Sequence, residues 1–119
     1  MIDRRAIDRL YETVGSDPES LIEMIESFLE EGPVLVAQLA GAAAARDFVL
    51  MRRTAHSLKS NARDFGATRL GAHCAEIEEE LRAGQEPDDA ARRAATVGAE
   101  WQVVEPALRA LAAEFGALA

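Results

Sequence analysis

The sequence predicts an all-α fold, specifically an antiparallel up-and-down four-helix bundle with a short extra N-terminal helix. Half of the residues are apolar, yet only 5% are aromatic and alanine is abundant, which is typical of closely packed helices. Apolar residues recur at spacings of three and four, the period of a buried helix face. A chain of 119 residues can form one hydrophobic core, so we predict a single domain over residues 1–119.

The first two helices begin at aspartates. Asp3 is placed to cap a short helix that ends near Gly15 and carries Ile7, Leu10 and Tyr11. Asp17-Pro18 begins the second helix, because aspartate is a good N-cap and proline is tolerated in a first turn. Gly32-Pro33 interrupts this helix and predicts either a kink or a break. Its apolar stripe comprises Leu21, Ile25, Phe28, Leu35 and Leu39.

The third and fourth helices are predicted to form an antiparallel hairpin. Asp47 marks the start of the third helix, and Gly66 follows its last buried residue, where a left-handed cap ends a helix. The fourth helix starts at once and ends at Gly84 and Pro87. The stripe of the third helix is Phe48, Met51, Ala55, Leu58, Ala62 and Phe65; that of the fourth is Leu70, Cys74, Ile77 and Leu81.

A long fifth helix completes the bundle. Pro106 is expected to bend it, and Trp101 is expected in the core. The apolar stripe contains Ala94, Val97, Trp101, Val104, Leu108, Leu111 and Phe115. The four long helices are joined by short connections, so we expect neighbours to be antiparallel, with the N-terminal segment covering one end.

Charge and hydropathy exclude several classes of function. The net charge of −8 argues against nucleic acid, which requires an extended basic surface. No run approaches the roughly 18 apolar residues of a membrane span, and no apolar signal region follows Met1. The single cysteine, Cys74, fits a reducing compartment. We therefore expect a soluble, cytoplasmic protein that binds neither nucleic acid nor membrane.

One histidine lies off the buried stripe of the third helix. His56 is flanked on its own face by Arg52 and Arg53 one turn before and by Lys59, Ser60 and Arg63 one and two turns after, since residues three or four apart are neighbours on a helix. These residues form a small cationic strip around His56, and Lys59 is the only lysine in the chain. An ammonium is a compact point charge and guanidinium is a planar fork, so a lone lysine beside the histidine hints at a chemical requirement.

Several residues in this region together resemble a known family. The run His56-x-Leu58-Lys59-Ser60-x-Ala62, followed by Phe65-Gly66-Ala67, Leu70, Cys74 and Ile77-Glu78, is similar to the histidine-containing phosphotransfer (HPt) domains of multistep two-component signalling. The resemblance extends to the Asp17-Pro18 opening and covers most of the chain. It implies a four-helix bundle with an exposed histidine midway along one helix, as the periodicity also indicates.

The resemblance also implies a role for each residue of the strip. His56 would accept a phosphoryl group from a receiver-domain aspartate and pass it to another receiver. Lys59 would offset charge on the phosphoryl oxygens, as cations do in phosphoryl transfer. Arg52, Arg53 and Arg63 would attract the acidic, magnesium-loaded pocket of a response-regulator receiver or hybrid histidine kinase, and small Ser60 would leave room for it. Mg²⁺ would come with the receiver, and this chain would bind no cofactor or metal.

One departure from the family pattern keeps a second class of function open. Ser60 stands where glycine is commonest in the family, which adds a hydroxymethyl group to the contact surface. A non-phosphorylated adaptor that binds receivers through the same face is therefore the alternative.

No glycine-rich phosphate loop is present, so we predict a phosphoryl carrier without autokinase activity. We also predict a monomer, because the histidine helix must stay open.

The remaining polar residues have simpler interpretations. His73 is expected at the edge of the fourth helix's stripe, and Cys74 is expected to be a small core residue. These neighbours point about 100° apart on a helix and lack further ligands, so they do not form a zinc site. The acidic groups Glu30-Glu31 and Glu76-Glu78-Glu79-Glu80 are expected to be solvated.

Overall fold

A computed structural model describes residues 1–119 and contains five α-helices and no strand, with one isolated bridge between Ile2 and Ala67. This confirms the predicted fold class. In chain order the helices are α1 (Arg4–Thr13), α2 (Pro18–Ala45), α3 (Phe48–Asp64), α4 (Thr68–Arg82) and α5 (Ala90–Gly116).

The four long helices form a closed bundle around one core. Helix α2 packs along α5 and α3 packs along α4, while α2 also contacts α3 and α4 contacts α5. No Cα atoms of α3 and α5 come within 8 Å of each other, so these two helices lie diagonally opposite. Helix α1 lies across one end, against α2 and α3. The histidine helix α3 therefore has one long side free of neighbouring helices.

The predicted stripes fill the core. Nearly all of their residues are buried, and the exceptions, Leu10, Tyr11 and Phe48, are partly buried at its margin. An aromatic cluster links three helices, because the Phe28 ring lies 5.0 Å from that of Phe65 and 5.1 Å from that of Trp101. Trp101 is thus a core residue, as expected.

The helix starts follow the sequence closely. The Asp3 carboxylate accepts the Arg5 N–H at 3.0 Å, and the Asp47 carboxylate accepts the Leu50 N–H at 3.2 Å. Asp17 stands at the N-cap of α2, but its carboxylate instead accepts the Ser20 hydroxyl at 2.6 Å.

Helix α2 is continuous through Gly32-Pro33, so the predicted interruption is not a break. Pro33 is exposed, and the core residues Phe28 and Leu35 on either side of it hold both halves of the helix in one stripe. Pro106 is accommodated in the same way inside the continuous helix α5. None of the five helices combines the length and the hydropathy needed to cross a bilayer.

Gly32 is required for the close approach of α2 to α5. A Cβ atom built on Gly32 would lie 2.2 Å from the Trp101 ring, whereas a Cβ on Gly41 of the same helix would meet nothing within 4 Å. The buried Trp101 ring has little room to move, because it is enclosed by core side chains.

We predict opposite effects for two glycine-to-alanine substitutions in α2. Gly32→Ala should lower the free energy of unfolding by about 1–3 kcal/mol through overpacking. Gly41→Ala should raise it by about 0.5–1 kcal/mol through helix propensity. Urea denaturation followed by circular dichroism measures both. Equal changes for the two variants would contradict the proposed contact between Gly32 and Trp101.

Candidate functional site

Helix α3 places His56 at the bundle surface. The buried residues Met51, Ala55 and Leu58 fix the rotation of the helix about its axis. His56 then projects away from the core, and its side chain is 57% exposed. The prediction that this histidine faces water is confirmed.

The turn between α3 and α4 brings a second functional side chain beside His56. Gly66 adopts a left-handed conformation with φ of +71°, and a Cβ there would lie 2.5 Å from the Asp3 carbonyl oxygen. The Asp3 N–H donates to the Gly66 carbonyl at 2.7 Å, which ties the N-terminal segment to the turn. Because the turn is tight, α4 runs back along α3 and carries Glu78 to the level of His56.

Glu78 is the centre of a polar network between α3 and α4. Its side chain is only 5% exposed, and its Oε2 lies 2.6 Å from Nδ1 of His56 and 3.1 Å from Nη2 of Arg82. Its Oε1 accepts a hydrogen bond from Nζ of Lys59. No buried side-chain nitrogen or oxygen lacks a partner, so the carboxylate is fully satisfied.

The network keeps Glu78 ionised. Burial raises the pKa of this carboxyl group, but hydrogen bonds from Lys59 and His56, together with their charges, reverse that effect and leave its pKa below the ordinary 4.5. An ionised carboxylate only accepts hydrogen bonds, so the proton between Glu78 and His56 belongs to Nδ1. In the neutral imidazole of His56, the Nε2 atom therefore carries the free lone pair.

An open polar cleft surrounds His56. Its lining residues are Arg52, Arg53, His56, Ser57, Glu78 and Arg82, and none of them is hydrophobic. Arg52 and Arg53 are exposed, as predicted for the cationic strip. The cleft therefore offers a positively charged approach to a histidine whose other side is tied to Glu78.

The other predicted site residues lie in two different environments. Ser60 and Arg63 are exposed along the same helix beyond His56. Lys59, by contrast, is only 15% exposed, because its side chain turns towards α4 and its ammonium pairs with Glu78. Lys59 thus belongs to the predicted cationic strip, but a buried carboxylate already compensates its charge.

Glu78 is one of the acidic residues that the sequence predicts to be solvated. That interpretation is wrong, because Glu78 is buried, although Glu76 and Glu79 beside it are exposed. The signal was present in the spacing: Glu78 lies four residues after Cys74 and three before Leu81, so it falls on the buried stripe of α4. Arg82, which also binds Glu78, was not singled out either.

Two other residues match their simpler interpretations. Cys74 is fully buried, and burial, with a contribution from the Glu78 charge, raises the pKa of its thiol to about 12. His73 lies at the margin of α4, with Nε2 3.8 Å from a Glu100 oxygen. No group of three or more histidine, cysteine, aspartate or glutamate side chains is arranged to hold a metal ion.

Comparison with known proteins agrees with this geometry. The family model described as Hpt domain matches residues 23–118. The chain belongs to the Hpt domain family. Members of this family are phosphocarriers, not kinases, and work with receiver domains and hybrid kinases in phosphorelays. No curated protein gives a significant match to the sequence of this Hpt domain.

Two solved structures resemble this Hpt domain over nearly its whole length. One is histidine-containing phosphotransfer protein B from Pseudomonas aeruginosa PAO1, with 25% identity, 95% coverage of each chain and a TM-score of 0.83. The other is the HPT domain of an Hpt sensor hybrid histidine kinase from Shewanella, with 21% identity, coverage of 91% of this chain and 92% of that one, and a TM-score of 0.76. The second likeness concerns the fold.

We predict that Glu78→Gln makes the free energy of unfolding of this Hpt domain less dependent on pH in the acidic range. The folded-state pKa of Glu78 is lowered, so its charge stabilises the fold above the ordinary pKa, and this contribution is lost as the pH falls through the folded-state value. At about pH 5 the variant should be less stable by roughly 1–3 kcal/mol, because Lys59 loses a buried partner.

The difference between the stabilities of wild type and Glu78→Gln should narrow as the pH falls through the folded-state pKa of Glu78, because the protonated carboxyl group is then neutral like the amide. Urea denaturation of the two proteins at each pH measures it. A difference that stays constant over this range would show that the Glu78 charge does not stabilise the folded state.

Proposed function

We propose that this Hpt domain is a phosphorelay intermediate that accepts a phosphoryl group on His56 from a receiver-domain aspartate and passes it to another receiver. The observation that carries this proposal is the tie between Nδ1 of His56 and the buried Glu78 carboxylate at 2.6 Å. This hydrogen bond leaves Nε2 as the only nucleophilic nitrogen on an exposed ring.

The transfer step follows from this arrangement. Nε2 attacks the phosphorus of the aspartyl phosphate, a new N–P bond forms, and the acyl O–P bond breaks to leave the receiver carboxylate. The imidazole ring gains a positive charge as its lone pair is used, and Nδ1 keeps its proton. The Glu78 carboxylate stabilises that charge, because an ionised acceptor strengthens a hydrogen bond to a cationic donor. Reversal of the same steps passes the group on.

Lys59 provides the positive charge for the phosphoryl oxygens. Its ammonium already lies beside Glu78, one turn beyond His56, and an ammonium has three donors that can be shared between two anions. Phosphoryl transfer depends mainly on positioning and on compensating the charge of these oxygens. Arg82, which is also bound to Glu78, adds a second positive charge at the edge of the cleft.

The receiver supplies everything else that the reaction requires. We propose that Mg²⁺ is held by the receiver, that the Hpt domain binds no cofactor and no ATP, and that it works as a monomer in the cytoplasm. Arg52, Arg53 and Arg63 would attract an acidic receiver pocket, since complementary charge raises association rates. The adaptor alternative is not favoured, because an adaptor would not require the arrangement of Glu78, Lys59 and an exposed His56.

The variant His56→Gln tests whether His56 is the residue that accepts the phosphoryl group. Incubation with labelled phosphorylated receivers from the same organism should label the wild-type chain with an acid-labile, base-stable phosphoryl group. His56→Gln should remain unlabelled, because an amide nitrogen is no nucleophile. Equal labelling of the variant would contradict the assignment of His56. Receiver binding without labelling of either chain would indicate the adaptor.

The variant Lys59→Gln tests whether the Lys59 ammonium contributes to phosphoryl transfer. Lys59→Gln should lower the transfer rate from a phosphorylated receiver about 10- to 100-fold, the equivalent of one charge-assisted hydrogen bond of about 1.5–3 kcal/mol. Arg92→Gln removes an exposed positive charge from α5 and serves as the matched control. Rapid-quench measurement of the transfer rate tests both variants. A loss of rate in both would point to overall charge instead of the site.

A double substitution tests whether the arginines of α3 attract the receiver. Arg53→Glu combined with Arg63→Glu should reduce the association rate with receivers at least about tenfold at low salt, and less at high salt, since screening weakens attraction between exposed charges. Arg92→Glu combined with Arg109→Glu changes the net charge equally on α5. Stopped-flow association measures both, and equal effects of the two double variants would argue against docking on α3.

A further inference from the structure

Arg82 binds the buried Glu78 carboxylate from the solvent side. It is the last residue of α4 and follows Glu78 by four residues, the spacing at which side chains on one helix meet. Its Nη2 atom lies 3.1 Å from Oε2 of Glu78, and its side chain is 64% exposed, against 15% for Lys59. The two cations of the network therefore differ, because Lys59 is enclosed between the helices and Arg82 lines the open cleft around His56.

The hydrogen bonds are divided unequally between the two oxygens of Glu78. Oε1 accepts from Lys59. Oε2 lies 2.6 Å from Nδ1 of His56 and 3.1 Å from Nη2 of Arg82, so the histidine and the arginine share one oxygen atom. A guanidinium is always charged, and a positive charge on an oxygen reduces the attraction that this oxygen exerts on a second donor. Arg82 therefore weakens the hold of Oε2 on the Nδ1 proton.

The attraction of Glu78 for that proton has two opposite effects on His56. It keeps the proton on Nδ1, which leaves the lone pair of the neutral ring on Nε2. A carboxylate within about 4–6 Å also favours the imidazolium form of a histidine, in which Nε2 carries a proton and has no lone pair for a phosphoryl group. The carboxylate that selects the reactive tautomer thus also promotes the unreactive charged form. A positive charge nearby opposes this second effect, because it disfavours another cation.

Arg82 is the positive charge that is best placed to oppose it. The charged partners of Glu78 are the histidine, Lys59 and Arg82, and Lys59 is bound to the other carboxylate oxygen. Arg52 and Arg53 line the same cleft, but neither shares an oxygen of Glu78. Arg82 alone places a full positive charge on the oxygen that binds the histidine.

The other helices bring no charge into the cleft around His56. Helix α2, which packs along α3, is uncharged over residues 32–45, and α5 does not approach α3. Arg9 of α1 lines a separate cleft. Three further glutamates of α4 line another cleft with Arg93, namely Glu76, Glu79 and Glu80. The balance of charge at the histidine is therefore set by α3 and α4 alone.

We propose that Arg82 is a positioning residue of the phosphoryl transfer: by sharing Oε2 of Glu78 with His56, its guanidinium limits how far the carboxylate stabilises the imidazolium and so preserves the Nε2 lone pair. This inference rests on the proposed function, because the lone pair matters for transfer only if His56 accepts a phosphoryl group. Glu78 selects which nitrogen reacts, and Arg82 maintains the fraction of rings that can react at neutral and mildly acidic pH.

Two arginine substitutions on α4 test this inference. Arg82→Gln removes a side chain that is mostly exposed, so the bundle should stay folded, as circular dichroism verifies. Arg69→Gln is the matched control, because Arg69 is an exposed arginine of the same helix that pairs with Glu100 at 3.2 Å. Arg69 lies nine residues before Glu78, about 13 Å along the helix, which exceeds the screening length of about 10 Å at 0.1 M salt.

Nitrogen-15 NMR spectra of the histidine rings measure the protonated fraction of His56 without a phosphoryl donor. At about pH 6 we expect the ratio of protonated to neutral His56 to rise about two- to fivefold in Arg82→Gln, the effect of one exposed ion pair, and to stay unchanged in Arg69→Gln. His73, the only other histidine, is the internal reference for Arg82→Gln. In a Glu78→Gln background, Arg82→Gln should have no further effect, because the carboxylate through which it acts is absent.

Labelling by phosphoramidate gives the functional readout, because its phosphoryl group moves to Nε2 and ammonia leaves, with no receiver present. The labelling rate of Arg82→Gln should be about two- to fivefold below that of wild type at about pH 5.5 and equal to it above about pH 8.5, where the ring is neutral in both proteins. A protonated fraction of His56 that Arg82→Gln leaves unchanged would overturn the inference and leave the phosphocarrier proposal intact. A loss of rate that is equal at every pH would also overturn it, by assigning Arg82 to the phosphoryl oxygens. Failure of the wild type to be labelled by any donor would instead overturn the proposed function, and the role of Arg82 in transfer with it.

Discussion

The buried carboxylate of Glu78 is the interaction on which the candidate site depends. Removing a charge from water is costly unless the charge is paired and fully hydrogen-bonded, and Glu78 meets both conditions only when α3 and α4 are in register. The same bonds orient the His56 ring, select its tautomer and hold Lys59 near it. One buried group therefore couples the alignment of two helices to the chemistry of an exposed nitrogen, and the tight turn at Gly66 makes that alignment possible.

Charge is distributed unevenly around the bundle. The chain is acidic overall, yet the exposed surface of α3 is basic, that of α4 carries both arginines and glutamates, and the C-terminal half of α2 is uncharged. A partner that approaches this molecule therefore meets three different surfaces within about one helix diameter of His56. Such an arrangement favours the orientation in which the acidic surface of a partner faces the arginines of α3, because complementary charges attract.

The fold was predictable because its determinants are local. Caps at Asp3 and Asp47, the left-handed turn at Gly66 and the apolar stripes depend on neighbours along the chain. The exposure of His56 followed from the same periodicity. The burial of Glu78 and the partial burial of Lys59 were not predicted, because they depend on the pairing of two helices, which periodicity within either one does not specify. The continuity of α2 at Pro33 likewise depends on core packing at both sides of the proline.

The reactivity of the single thiol, that of Cys74, reports whether α4 is packed against the core. Alkylating reagents and oxidants react with the exposed thiolate, and Cys74 in the folded chain is buried and held in the thiol form. Cys74 can therefore be modified only after α4 separates from the core. The rate of modification then measures how often this local opening occurs. The folded carrier should also resist dimerisation through disulfides, which allows it to be handled in air without a reductant.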